Sequence, residues 1–169
     1  MTAPILETAR LRLRSHVPAD LDRCAALWAD PVVTRFISGR AFTREEVWAR
    51  LLRYAGHWQW LEYGFWAIEE KTSGDFVGEL GFAEFERELE PRLNAPESGW
   101  VLSPRFHGQG LGREALLAVL AWGDARFPAT ACLIHPENHA SLRLARACGY
   151  AESAQTTYKG QPSVILRRG

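Results

Sequence analysis

Apolar positions along this chain change period several times, and each change marks an element. Leu11-Arg12-Leu13-Arg14 alternates apolar and basic side chains, as a half-buried strand does. Behind Asp20, a suitable cap, Leu21, Cys24, Ala25 and Trp28 follow a helical pattern that stops before Pro31. Thr43-Arg44-Glu45-Glu46 has capping-box spacing and opens a helix carrying Val47, Leu51 and Tyr54. Phe65-Trp66-Ala67-Ile68 reads as a strand and Lys71-Thr72-Ser73-Gly74-Asp75 as its hairpin turn. The returning strand runs from Phe76 to about Glu86, with Gly78 and Gly81 as sites for bulges. A polar, proline-bounded loop fills Arg87 to Pro96.

The second half opens with the strand-like run Glu97-Ser98-Gly99-Trp100-Val101-Leu102, which ends in a turn at Pro104. Gly108, Gly110 and Gly112 then lead into a helix that reaches about Arg126. Ala131-Cys132-Leu133-Ile134 is a short buried strand. Pro136 and Asn138 form a turn into a helix on which Leu142, Ala145 and Cys148 share a face, and Gly149 stops it. Two strands, about Tyr150–Tyr158 and Pro162–Leu166, turn at Lys159-Gly160. No repeat, low-complexity tract or linker divides residues 1–169, a length that suits one domain burying about two-thirds of its surface. The pattern predicts an α/β fold, a mixed sheet flanked by helices.

Composition narrows the function classes. The chain is 47% hydrophobic and 24% charged, with 20 basic and 20 acidic residues and no formal net charge. Nothing there favours bulk attraction to nucleic acid or to an anionic membrane. Cys24, Cys132 and Cys148 are far apart, lack metal-ligand spacing and sit among apolar neighbours, which reads as reduced, buried thiols and no metal site. With no signal pattern and no apolar run near the 18 or so residues of a membrane span, a cytoplasmic location is expected.

The glycine-rich turn carries the chemistry. Glycines accept positive φ and let a ligand approach the backbone, and the helix that follows offers free N–H groups and its dipole to a phosphate. A Walker loop would need a lysine that is absent here, and a dinucleotide fingerprint would need glycine at Arg113. An ordinary flexible strand–helix connection is the plain alternative. The order strand, Gly-x-Gly-x-Gly, helix resembles the pyrophosphate loop of the GNAT N-acetyltransferases. Downstream, His135-Pro136-Glu137-Asn138-His139-Ala140-Ser141 through Gly149-Tyr150 resembles that family's Pro-x-Asn-x-x-Ser and Gly-aromatic segment. The Glu-x-Gly-Trp-Val-Leu-x-Pro form is similar to the branch of ribosomal-protein N-terminal alanine acetyltransferases.

The resemblance implies a mostly antiparallel sheet that splays beside the Gly-loop helix and binds acetyl-coenzyme A as co-substrate. Backbone groups of Trp100, Val101 and Leu102 would pair with pantetheine like an added strand. His107 and Gly108 lead into the loop, where N–H groups of Gln109, Gly110, Leu111, Gly112 and Arg113 would hold the pyrophosphate. The charge of Arg105 or Arg113 would add to them, and Asn138 would contact the pantetheine arm or serve only as a cap. His107 stands where the family has Arg, Gln or Trp, which leaves the backbone argument in place.

Acyl transfer from a thioester to an amine needs a neutral amine, a donor to the carbonyl and a proton for the thiolate, with positioning supplying much of the rate. Many relatives carry a tyrosine where this chain has Ala145, so Ser141 is the candidate donor, or a first-turn serine only. Glu79 and Glu97 are the candidate bases, Glu79 because a carboxylate among apolar neighbours has a raised pKa, unless an arginine pairs with it. His135 is a further candidate, while His57 and His139 read as surface residues. Trp58, Trp60, Tyr63 and Trp66 are core residues or a wall of the acceptor cleft. The resemblance implies a primary-amine acceptor, on a small molecule or a protein N-terminus, attacked directly in a ternary complex by a monomer or homodimer. A noncatalytic acyl-coenzyme A sensor is the alternative from another class, and a nucleotide-binding module rests on the glycines alone.

Overall fold

The structure, a computed structural model, describes residues 2–169. It is built on one eight-stranded sheet: β1 (Leu6–Glu7), β2 (Leu11–Arg14), β3 (Phe65–Glu70), β4 (Phe76–Ala83), β5 (Glu97–Leu102), β6 (Thr130–Ile134), β7 (Ala151–Tyr158) and β8 (Gln161–Arg168). Their spatial order is β1-β2-β3-β4-β5-β6-β8-β7. Neighbours are antiparallel except β5 and β6, which run parallel and pair only at Glu97↔Ala131. Beyond that pair the two strands part, which is the expected splay. Five helices flank the sheet: α1 (Leu21–Ala29), α2 (Pro31–Thr34), α3 (Arg44–Trp60), α4 (Leu111–Asp124) and α5 (His139–Ala147).

Strand alternation sends successive side chains to opposite faces and so makes two cores. Leu11, Leu13, Leu80, Phe82 and Leu102 meet Leu111, Leu116 and Leu120 of α4 and Leu142 of α5 in one cluster. Phe65, Ala83 and Val101 meet Cys24, Leu27 and Trp28 of α1 and Val47, Leu51 and Tyr54 of α3 in the other. Each large apolar side chain fully buried this way contributes about 1.5–3 kcal/mol. The capping box of α3 forms in full, with the Thr43 hydroxyl accepting from the Glu46 amide at 3.2 Å and the Glu46 carboxylate accepting from the Thr43 amide at 2.8 Å.

Several sequence expectations need correction. Asp20 precedes α1 but its side chain does not cap it. The carboxylate instead takes two bonds from the Arg14 guanidinium, at 2.7 and 2.8 Å, a stronger charge-assisted partner than a helix amide. β4 ends at Ala83, short of Glu86, and α4 ends at Asp124. The irregularity in β4 lies where pairing jumps from Ile68↔Gly78 to Glu69↔Phe76, whereas Gly81 pairs regularly with both Phe65 and Gly99. The short elements β1 and α2 had no expectation at all. The three cysteines are free and buried.

Candidate active site

The gap between β5 and β6 is the natural seat for an extended ligand. Ser103 donates its amide to Val77 O of β4, so alternate residues Val101 and Gly99 also turn their backbone groups toward β4. Trp100 and Leu102 therefore turn theirs into the gap, and Val101 does not, which corrects the expected role of its backbone. The Leu102 carbonyl is already taken, because His107 Nε2 donates to it at 2.9 Å. What remains on this edge is the Leu102 amide and both backbone groups of Trp100.

The Gly loop follows directly. Gly108 and Gly110 have φ of 73° and 76°, a region that costs an L side chain about 1–2 kcal/mol. Gly110 occupies the N-cap position of α4, and no side chain caps the helix. The first amides of α4, in Leu111, Gly112 and Arg113, thus face outward without an intrahelical partner. Glu114 in the same turn would repel an anion, but Arg10 pairs with it at 2.7 Å and also donates to Gln109 O. Burial would raise the Glu114 carboxyl, yet bonds from Thr8 and Arg10 bring it below its ordinary value. Of the two candidate arginines, Arg105 is committed to Asp75 at 2.6 Å, while Arg113 has no ion pair among the described residues.

Across the gap, α5 presents Asn138 and Ser141. Asn138 Oδ1 accepts the Ser141 amide at 3.2 Å, so the side chain does cap the helix, and its amide nitrogen has no partner among the described residues. The Ser141 hydroxyl oxygen accepts from Trp100 Nε1 at 3.3 Å, which leaves its own proton free to donate. Ala145 is fully buried at the base of the helix. Where β5 and β6 last touch, the buried Tyr150 hydroxyl lies 2.6 Å from Ser98 Oγ and 2.7 Å from Thr130 Oγ1. Burial pushes the Tyr150 phenol up to about 12, so it stays a neutral link across the seam.

Neither candidate carboxylate has a free oxygen. Glu97 is gripped by Arg87 through two bonds of 2.6 and 2.9 Å. Glu79 is 0% exposed. Its Oε1 accepts from Tyr54 at 2.6 Å and Trp28 at 3.0 Å, and its Oε2 meets His16 Nε2 at 3.3 Å and the Cys24 thiol at 3.7 Å. Burial alone would raise this carboxyl. The hydrogen bond and charge of His16, the Tyr54 hydroxyl and the Arg50 charge together hold it below its ordinary value, the opposite of the sequence expectation. Desolvation and the Glu79 charge raise the Cys24 thiol far up, so it stays protonated and donates.

His16, Trp28 and Tyr54 were missed as partners of Glu79 because no local pattern marks them. His57, expected at the surface, is buried with Nε2 at 2.9 Å from Glu84 O. His135 accepts the Glu137 amide at Nδ1 and stacks on Phe36 at 5.2 Å, bringing the chain after α2 against the end of β6. Trp58 and Trp66 pack on each other in the core beside α4, at 4.7 Å, and Trp60 is 86% exposed. The aromatic residues over the β4–β5 floor are instead Trp28, Phe42, Tyr54 and Phe85.

Comparison with known proteins agrees with this geometry. The acetyltransferase (GNAT) domain model matches residues 10–151. The chain is 30% identical to the uncharacterized protein YkkB of Bacillus subtilis, covering 96% of this chain and 94% of that protein. A GNAT-family acetyltransferase structure from Bordetella pertussis superposes with a TM-score of 0.88 at 29% identity, covering 99% of this chain and all of the other. The fold is also that of RimL, a ribosomal L7/L12 alpha-N-protein acetyltransferase solved with coenzyme A, at TM-score 0.81 and 17% identity over 98% and 97% of the chains. An open strand edge running into an uncapped, glycine-led helix is thus set within a match that spans most of the sequence, and the chain belongs to the GNAT acetyltransferase family.

Proposed function

We propose that this protein transfers an acetyl group from acetyl-coenzyme A to a primary amine by direct attack in a ternary complex. The observation that carries the reading is the alignment of three features: the open β5 edge, the bare N-terminus of α4, and Asn138 and Ser141 across the gap. The first amides of α4 hold the pyrophosphate, with Arg113 beside them and Arg10 cancelling Glu114. Trp100 and Leu102 hold pantetheine as a strand partner would, helped by the free amide of Asn138. Ser141 donates its proton to the leaving thiolate, and the proton given up by the attacking amine restores the hydroxyl. With every oxygen of Glu79 and Glu97 engaged, these carboxylates hold the walls, and the enzyme draws its neutral amine from solution.

The amine acceptor is a small molecule or a protein N-terminus, and the protein acts in the cytoplasm. Among the described residues no helix is long and apolar enough to cross a membrane. The competing reading, an acyl-coenzyme A sensor, rests on Ala145 standing in the tyrosine position. A thiol-release screen against amines and N-terminal peptides separates the two. Acetyl-coenzyme A binding with amine-dependent thiol release supports the transferase, and binding without release against every amine sinks it.

A further inference from the structure

The acceptor side of this site is not electrically neutral. Coenzyme A in the β5–β6 gap would be covered on one face by α4 and α5, so the acceptor approaches from the α1–α3 face, where Val101 packs with Trp28 and Tyr54. Arg50 and Arg53 of α3 stand three residues apart and share one side of that helix. The Arg50 guanidinium lies 3.9 Å from the Trp28 ring centre and 5.1 Å from that of Phe42, and Arg53 lies 4.8 Å from that of Phe85.

Arginines around them are paired: Arg14 with Asp20 and Glu69, Arg40 with Glu46, Arg44 with Asp22, Arg87 with Glu97. Arg50 and Arg53 have no carboxylate within ion-pair distance among the described residues. Among the described residues Arg50 Nη1 reaches only the Tyr54 hydroxyl, at 3.3 Å, and its Nε is buried with no acceptor. An incoming oxygen anion meets the Nη groups of this half-buried guanidinium, for which the Tyr54 hydroxyl is the one acceptor among the described residues. Burial, and then the like charge of Arg50, depresses Arg53 in the same direction. The Trp28 and Phe42 rings restrain the Arg50 head, and its remaining Nη protons are the ones that can meet an oxygen anion.

Resting on the acetyltransferase reading, we infer that the acceptor is an amine carrying a carboxylate a few bonds away, and that Arg50 and Arg53 bind this anion. A free amino acid and a protein N-terminus followed by an acidic residue share that chemistry. A polycation such as an aminoglycoside meets two like charges at the same place, which the buried Glu79 offsets only in part.

Thiol release is measured with alanine and alaninamide, a tetrapeptide with Asp at its second position and its Asn counterpart, and kanamycin, rates being compared per neutral amine. The acid of each pair should exceed its amide by about ten- to a hundredfold in kcat/KM, the worth of one charge-assisted bidentate bond. Which pair shows the larger ratio separates free amino acid from N-terminus. Arg50→Gln and Arg53→Gln should bring the ratio toward one with acetyl-coenzyme A affinity kept, and Arg50→Lys should keep part of it. Calorimetry with N-acetylalanine and N-acetylalaninamide on the coenzyme A complex reads the anion site without turnover. Equal binding of the two, or a ratio that survives both Gln variants, overturns the inference. Loss of all turnover with the acid product still preferred would overturn the transferase reading alone.

Discussion

At the scale of single residues, the site rests on hydroxyls and carboxylates whose hydrogen bonds are counted out. Ser141 accepts from Trp100 and so has one proton left to give. Ser141→Ala should lower kcat by about ten- to a thousandfold, the span for a lost proton donor, with acetyl-coenzyme A affinity unchanged by calorimetry. An unchanged kcat would mean that water protonates the thiolate. Glu79 gives a pH signature. Its carboxyl is held below the ordinary value near 4.5 against the effect of burial, chiefly by His16 and then Tyr54. The stability this supplies is complete above pH 4.5 and is lost as pH falls through the lower folded value. Melting temperature should therefore drop steeply below about pH 4.5 in the wild type. Glu79→Gln, which cannot titrate, should melt lower at neutral pH and show a shallower acid slope. Parallel slopes would remove Glu79 as the source.

At the scale of elements, the proposed function makes the glycine turn and α4 one anion seat. Gly110→Asp places a charge at the N-cap, and Gly110→Asn places the same shape there without charge, both residues tolerating left-handed backbone better than most. Coenzyme A affinity should fall at least about tenfold further in the Asp variant than in the Asn variant, because only charge separates them. Equal affinities would mean that the loop does not face the pyrophosphate. These elements were readable in the sequence because their signals are local: the Thr43–Glu46 box, the glycines before Leu111, Asn138 before its helix. β1 and α2, of two and four residues, are too short to show a period. Glu79 was legible as an unusual charge in a strand, but not as a saturated one. Its donors Tyr54, Trp28 and His16 lie 25, 51 and 63 residues away in the chain, and only the folded sheet brings them together. The direction of each β5 amide was also invisible, since it depends on the register with β4.

At the scale of the whole molecule, one backbone pair, Glu97↔Ala131, joins a five-stranded half to a three-stranded half, with the Tyr150 hydroxyl bridging Ser98 and Thr130 beside it. The polypeptide thus leaves its own sheet incomplete, and under the proposed function the co-substrate supplies the missing rung. In the free protein the two halves should behave as separate cooperative units, so amides of β6 and β8 should exchange with deuterium on a different schedule from those of β3 and β4. Saturating acetyl-coenzyme A at a hundred times its Kd should add about 2.7 kcal/mol and bring the two schedules together. Schedules that already coincide without the co-substrate would show that the hydrophobic cores alone hold the halves in step. If they merge only on binding, turnover and cohesion are linked. Each catalytic cycle would then loosen the molecule along one line, between product release and the next acetyl-coenzyme A.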